Sequence, residues 1–83
     1  MDATPMVGQE YFYYKKALEF GPEQIMVRTI KIVNVNPQAK MLTIRYWRRP
    51  GALGPDEEEE WSFKFFDELL HSTERTRMLK LAI

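Results

Sequence analysis

The sequence contains no cysteine and only one histidine, His71. Without cysteine the chain can form neither disulfide bonds nor thiolate metal sites, and nothing indicates an oxidising compartment. The single histidine has no second histidine, cysteine or Gly-rich phosphate loop to act with, which argues against metal and nucleophilic chemistry. We therefore predict a non-enzymatic protein with no catalytic residue, no metal site and no cofactor.

A net charge is also lacking, because 12 Lys and Arg residues balance 12 Asp and Glu residues. A dedicated nucleic-acid binder normally has a basic excess, so nucleic acid is the less favoured partner. No apolar run reaches the length of a membrane span. The first ten residues lack the basic and apolar regions of a signal peptide. These absences predict an intracellular protein that does not contact membranes.

The chain is long enough for one small domain. Its 83 residues are 45% hydrophobic, which suffices for a core without cross-links. Neither an internal repeat nor a dividing linker is evident. We predict a flexible leader over residues 1–7 and a single domain over residues 8–83.

The clearest strand lies within Met41–Pro50. Leu42, Ile44 and Tyr46 alternate with polar positions, as a half-buried strand requires. Pro50 and the following glycine end the pattern.

Two more strands are predicted before it. The aromatic run Tyr11–Tyr14 favours a strand with one pair of rings in the core and the other outside. Lys15–Glu23 is predicted to be a loop with at most one short helical turn. Ile25–Val35 is the second strand, and its alternation slips between Val27 and Ile30, which predicts a bulge or strong bend.

Residues 36–40 are predicted to form a turn, and Trp61–Phe66 a strand. Asp67 is predicted to cap a short helix that runs to about His71. The last predicted strand is Thr76–Ile83. The predicted fold class is therefore mainly β. We expect a small bent antiparallel sheet, or an SH3/Tudor-like barrel, of about five strands with one short helix. The predicted core contains Ile30, Ile32, Leu42, Ile44, Phe63 and Leu69.

The order of these features resembles the bromo-adjacent homology (BAH) domain of chromatin proteins. Four segments over roughly residues 8–83 carry the resemblance: Gly8–Tyr13, Met26–Ile32, Ile44–Pro50 and Asp67–Ser72. The most specific part is the Trp-Arg-Arg-Pro run at 47–50 ahead of the acidic-Leu element. The chain departs from the family in lacking its usual closing strand region and in having a short acidic loop at 51–60.

The resemblance implies a chromatin interaction module. Some BAH domains bind methylated lysines of histone tails in aromatic cages, and others bind nucleosomes or proteins without a cage. It also implies a nuclear location.

Aromatic side chains are the leading candidates for a ligand site. A methylammonium group is attracted to ring faces, so a cage needs two to four converging rings. The candidates are Tyr11, Tyr13, Tyr46, Trp47 and Trp61. The alternative is that these rings fill the core of a small domain. Trp61 is expected to be partly exposed because it follows the acidic loop.

Charged residues lie next to these rings in the sequence. The acidic loop contains Asp56, Glu57, Glu58, Glu59 and Glu60, which either steer a basic peptide or form a solvated loop; their spacing does not match a calcium loop. The basic residues Arg45, Arg48 and Arg49 either contact phosphate or an acidic surface, or they have a structural role in which Arg48 stacks on Trp47 or the arginines pair with the acidic loop.

The sequence thus predicts a non-enzymatic interaction module that binds a basic peptide, including a methyl-lysine peptide such as a histone tail. Two alternatives stay open. One is a small barrel that binds single-stranded nucleic acid through exposed rings and arginines. The other is a structural adaptor whose apolar face is completed by a protein partner.

Overall fold

The computed structural model describes residues 4–16 and 25–82. These two ranges contain five strands and one helix: β1 (Glu10–Lys16), β2 (Ile25–Asn36), β3 (Met41–Tyr46), β4 (Glu58–Ser62), α1 (Phe63–His71) and β5 (Arg77–Leu81). The strands form one antiparallel sheet in the order β4-β3-β2-β1-β5. The mainly β class with one short helix is confirmed. The predicted loop at 15–23 lies largely outside the described residues, as do residues 1–3 of the predicted leader.

The first strand alternates as its aromatic run predicts. Tyr11 and Tyr13 are buried, whereas Phe12 is 39% exposed and Tyr14 is half-buried. Tyr11 and Tyr13 therefore face the core, and Phe12 and Tyr14 lie on the opposite side of the sheet, which we call the outer face.

The predicted bulge is present in β2, but it lies further along the chain than the slip in alternation indicates. The pairing with β1 is continuous from Ile25 to Lys31, and the register with β3 shifts between Ile32 and Asn34. Ile25 and Val27 therefore stay on the outer face, opposite to the buried Ile30.

A tight turn joins β2 to β3. The backbone N–H of Ala39 donates to Oδ1 of Asn36 at 3.2 Å, and Lys40 adopts a left-handed φ of 54°. An Asn side chain that accepts from the backbone stabilises a turn of this kind. It sets the register in which Leu42, Ile44 and Tyr46 are all buried.

The predicted strand at Trp61–Phe66 is wrong in its second half. β4 ends at Ser62, where the side-chain oxygen accepts a hydrogen bond from the backbone N–H of Phe65 at 3.0 Å. Ser62 rather than Asp67 is therefore the N-cap, and the helix begins five residues earlier than predicted. The helix buries Phe66 and Leu69, which are three positions apart and so share one face.

The sheet curls strongly without closing into a barrel. Trp61 on the edge strand β4 reaches Tyr13 on β1, with the ring centroids 5.2 Å apart. Among the described strands β4 and β5 do not pair, and α1 contacts both of them. The barrel prediction is corrected: the chain leaves β4 at Ser62 to form α1, and in residues 4–16 and 25–82 no further strand joins the edges β4 and β5.

The core lies between the inner face of this sheet and α1. Of the predicted core residues, Ile30, Ile32, Leu42, Ile44 and Leu69 are buried, whereas Phe63 is only partly buried and packs against them. The remaining core side chains are Tyr11, Tyr13, Tyr46, Trp61, Phe66 and Leu79. Within the described part of the chain, no helix is long and apolar enough to cross a membrane.

Candidate functional site

Four of the five candidate rings lie in the core. Tyr11, Tyr13, Tyr46 and Trp61 are each at most 8% exposed, and Trp47 is 60% exposed on the outer face. The expected partial exposure of Trp61 is wrong, because Trp61 pairs with Leu42 and turns its ring inward. In this structure the five rings therefore do not line one open cage, and Trp47 is the candidate ring with a large accessible surface.

Glu59 joins two of the buried rings by hydrogen bonds. The Tyr46 hydroxyl donates to Oε2 of Glu59 at 2.7 Å, and Nε1 of Trp61 donates to the same oxygen at 3.1 Å. Burial and the hydrogen bond to Glu59 both raise the pKa of Tyr46 well above its ordinary value. Glu59 thus satisfies the polar ends of two core aromatics, which is a structural role.

The chain's own cations lie over the buried rings. The guanidinium carbon of Arg28 is 4.2 Å from the Tyr46 ring centroid, and Nζ of Lys15 is 5.9 Å from it. Nη1 of Arg28 also lies 2.8 Å from Oε2 of Glu57. Tyr46, Arg28 and Glu57 thus bring a ring, a cation and a carboxylate together, and the cation belongs to the chain itself rather than to a ligand.

The acidic segment is largely paired with arginines. Nη2 of Arg45 lies 2.6 Å from Glu58, and Arg45 and Arg48 lie 3.7 Å and 3.6 Å from Asp56. Glu58, Glu59 and Glu60 belong to β4 rather than to a loop, while Asp56 and Glu57 precede that strand. These exposed pairs contribute little stability, roughly 0–1 kcal/mol each, but they reduce the charge available to attract a basic partner.

The three candidate phosphate-contact residues differ in their surroundings. Arg45 pairs as described above, and Arg48 also donates to the carbonyl oxygens of Leu53 and Gly54. Arg49 is exposed, with no ion pair within 4.0 Å in residues 4–16 and 25–82. Pairing with the acidic segment, one of the alternatives for these arginines, is therefore present for Arg45 and Arg48.

Trp47 borders a shallow cavity of about 300 Å³ on the outer face. The charged residues that line it are Glu10, Lys31, Arg45, Arg48 and Asp56. The cavity thus combines one exposed aromatic ring with charges of both signs.

A second cavity, of about 400 Å³, lies at the other end of the outer face. Tyr14 pairs with Val27 on β2 and with Met78 on β5, so three apolar side chains form a row across three strands. Ile25 extends this row, and Thr73, Arg75 and Lys80 complete the lining. We call these seven residues the β5–β1–β2 groove. The groove was not predicted from the sequence, although the parity of Ile25 and Val27, opposite to that of Ile30, was the signal.

The single histidine lies on the surface of α1. Nδ1 of His71 is 3.2 Å from Oδ1 of Asp67, one helical turn earlier. The neighbouring Ser72 hydroxyl accepts from the backbone N–H of Glu74 at 3.1 Å. In the described ranges, no group of three or more His, Cys, Asp and Glu side chains is arranged to hold a metal ion.

The chain matches no protein-family model, no curated protein and no solved structure. The resemblance to BAH domains therefore stays a prediction.

The buried tyrosines predict a loss of stability at high pH. Burial raises the pKa of Tyr11, Tyr13 and Tyr46, so the folded chain keeps protons that the unfolded chain releases near pH 10. The free energy of unfolding is thus at its full value below about pH 10 and falls as the pH rises further. Urea unfolding from about pH 8 to about pH 12 measures this, and Tyr46→Phe should make the decline shallower. An identical decline in the variant would contradict the role of Tyr46.

Proposed function

We propose that this chain is a non-catalytic interaction module that binds a segment of another protein on the outer face of its sheet. The observation that carries the proposal is the set of large apolar side chains exposed on that face. Val27 is 50% exposed, Phe12 and Ile25 are also exposed, and Trp47 lies across the sheet from Phe12.

The arrangement of these residues supports a continuous contact surface. Phe12 pairs with Thr29, whose carbonyl oxygen accepts from the backbone N–H of Trp47 at 2.8 Å. Phe12 and Tyr14 are alternate residues of β1, and Tyr14 pairs with Val27. Exposed apolar patches of this kind mark interaction sites, and aromatic residues supply much of the binding energy at protein interfaces.

The resemblance to BAH domains agrees with this class of protein. On the basis of this resemblance, the proposed location is the nucleus and one proposed partner is a histone tail.

A basic peptide, with or without methylated lysine, is the second candidate ligand, and Trp47 is where we place it. The indole is accessible, and the carboxylates of Glu10 and Asp56 line the same cavity. A cation over one exposed ring contributes about 0.5–1 kcal/mol, so Trp47→Ala should weaken such a peptide by several-fold. Titration with unmodified and trimethylated forms of one lysine peptide tests this, and equal binding to wild type and variant would exclude Trp47.

The proposed function is tested by selecting binders from a random peptide library displayed on phage. The selected peptides are then titrated against wild type, Val27→Ser and Leu53→Ser. Leu53 is the matched control because it is 95% exposed and lies in the loop before β4. We expect Val27→Ser to lower affinity by about tenfold or more and Leu53→Ser to leave it unchanged.

Two results would overturn the proposal. One is that no peptide is selected, or that the selected peptides bind wild type and Val27→Ser equally. The other is that a pool of single-stranded RNA binds more tightly than any peptide, with an affinity that falls steeply with salt, which would favour the nucleic-acid alternative.

A further inference from the structure

The β5–β1–β2 groove differs from the rest of the outer face in its charge. Its floor consists of Tyr14, Ile25, Val27 and Met78, and its charged lining residues are Arg75 and Lys80. Among the residues that the structure describes, no carboxylate lines it. Around Trp47, in contrast, acidic and basic side chains line the same cavity.

The two groove cations lack acidic partners in the part of the chain that the structure describes. Every ion pair within 4.0 Å there involves Arg28, Arg45, Arg48 or His71 as the base. Nζ of Lys80 lies 6.0 Å from the Tyr14 ring centroid, so it stands directly beside the apolar floor. A partner that fills the floor would thus bring its flanking groups close to both cations.

From this placement we propose that the groove binds an acidic amphipathic segment of another protein. Apolar side chains of that segment lie on Tyr14, Val27 and Met78, and carboxylates next to them pair with Arg75 and Lys80. The cavity of about 400 Å³ accommodates one or two large side chains. Complementary charge then selects acidic segments and speeds their association. The inference rests on the proposed function and adds the chemistry of the partner.

The test uses three synthetic peptides that share a central Leu-Phe pair and carry Glu, Gln or Lys at the flanking positions. We expect the Glu peptide to bind about tenfold more tightly than the Gln peptide, and the Lys peptide to bind least. In the double variant Arg75→Gln, Lys80→Gln, the Glu and Gln peptides should bind equally. Arg49→Gln is the matched control, since Arg49 is an exposed arginine after β3, and it should preserve the difference.

Chemical-shift changes in ¹⁵N spectra locate the contact. The Glu peptide should shift the amide signals of β1, the first half of β2 and β5. Equal affinity for the Glu and Gln peptides in the wild type, or shifts confined to the surroundings of Trp47, would overturn the inference.

Further outcomes separate this inference from the proposed function. If library peptides depend on Val27 but carry no acidic bias, the interaction module stands and the acidic partner is wrong. If the binding of no peptide, whatever its charge, depends on Val27, both the proposed function and this inference are wrong. Binding of anionic lipid vesicles in place of the Glu peptide would also overturn the inference, as would self-association that Val27→Ser abolishes.

Discussion

Trp61→Ala should lower the free energy of unfolding by about 3–5 kcal/mol. Trp61 is 6% exposed and packs edge-to-face on Tyr13 and Phe65, with ring centroids 5.2 Å and 5.1 Å away. The substitution would leave a cavity between these two rings. It would also remove one of the hydrogen bonds to Glu59. A domain of this length has a total stability of about 4–12 kcal/mol, so the variant should be marginally folded or unfolded.

Urea unfolding followed by circular dichroism measures this loss. Trp47→Ala is the matched control, because the same side chain is removed from a position that is 60% exposed, and it should change stability by about 0.5 kcal/mol or less. If Trp61→Ala does not fold, Trp61→Phe gives a smaller measurable loss. Similar losses for the two alanine variants would contradict the burial of Trp61.

Phe66→Ala is expected to have the second large effect, again about 3–5 kcal/mol. Phe66 is 1% exposed, and its ring packs edge-to-face on Tyr11 at 5.4 Å. Because Phe66 and Leu69 are the buried residues of α1, losing the phenyl ring removes much of what holds the helix on the sheet.

Phe12→Ala is the control for Phe66→Ala, since Phe12 is 39% exposed on the opposite face. We expect it to cost about 1 kcal/mol or less. Thermal unfolding followed by far-ultraviolet circular dichroism compares the stability of the two variants. A smaller loss for Phe66→Ala than for Phe12→Ala would remove α1 from the core.

Strand β3 could be predicted because its apolar residues follow one period. Leu42, Ile44 and Tyr46 alternate without interruption, and all three are buried. The segment after Trp61 could not be assigned in the same way. Phe63, Phe65 and Phe66 fit both a strand and a helix, and the aromatic residues favour the strand. The helix is favoured by two tertiary or capping contacts that the pattern does not show. The backbone N–H of Phe65 donates to Ser62, and Phe66 is buried against Tyr11.

The site was predicted in part. The sequence brings rings, arginines and carboxylates into one region, and the structure does place Tyr46, Arg28 and Glu57 together. The sequence alone could not show that Arg28, which lies on a different strand, would cover the face of the Tyr46 ring. Whether Trp61 is buried depends on the register of β4 with β3: it pairs with the buried Leu42, and a shift of one residue would turn its ring to the outer face.

The groove was missed for a related reason. Ile25 and Val27 were expected to join Ile30 on one face through a bend. Because the bulge comes later, they stay on the outer face.

The pairing of β1 with β5 has a consequence for how the domain folds. The first strand is interior to the sheet because the last strand covers its second edge. Contacts between strands that are far apart in the sequence form late, since the loop that they close is long. Until β5 emerges from the ribosome, the aromatic strand β1 is itself an edge strand with unpaired backbone groups. We expect this interval, rather than the native state, to be when the protein is most prone to aggregation.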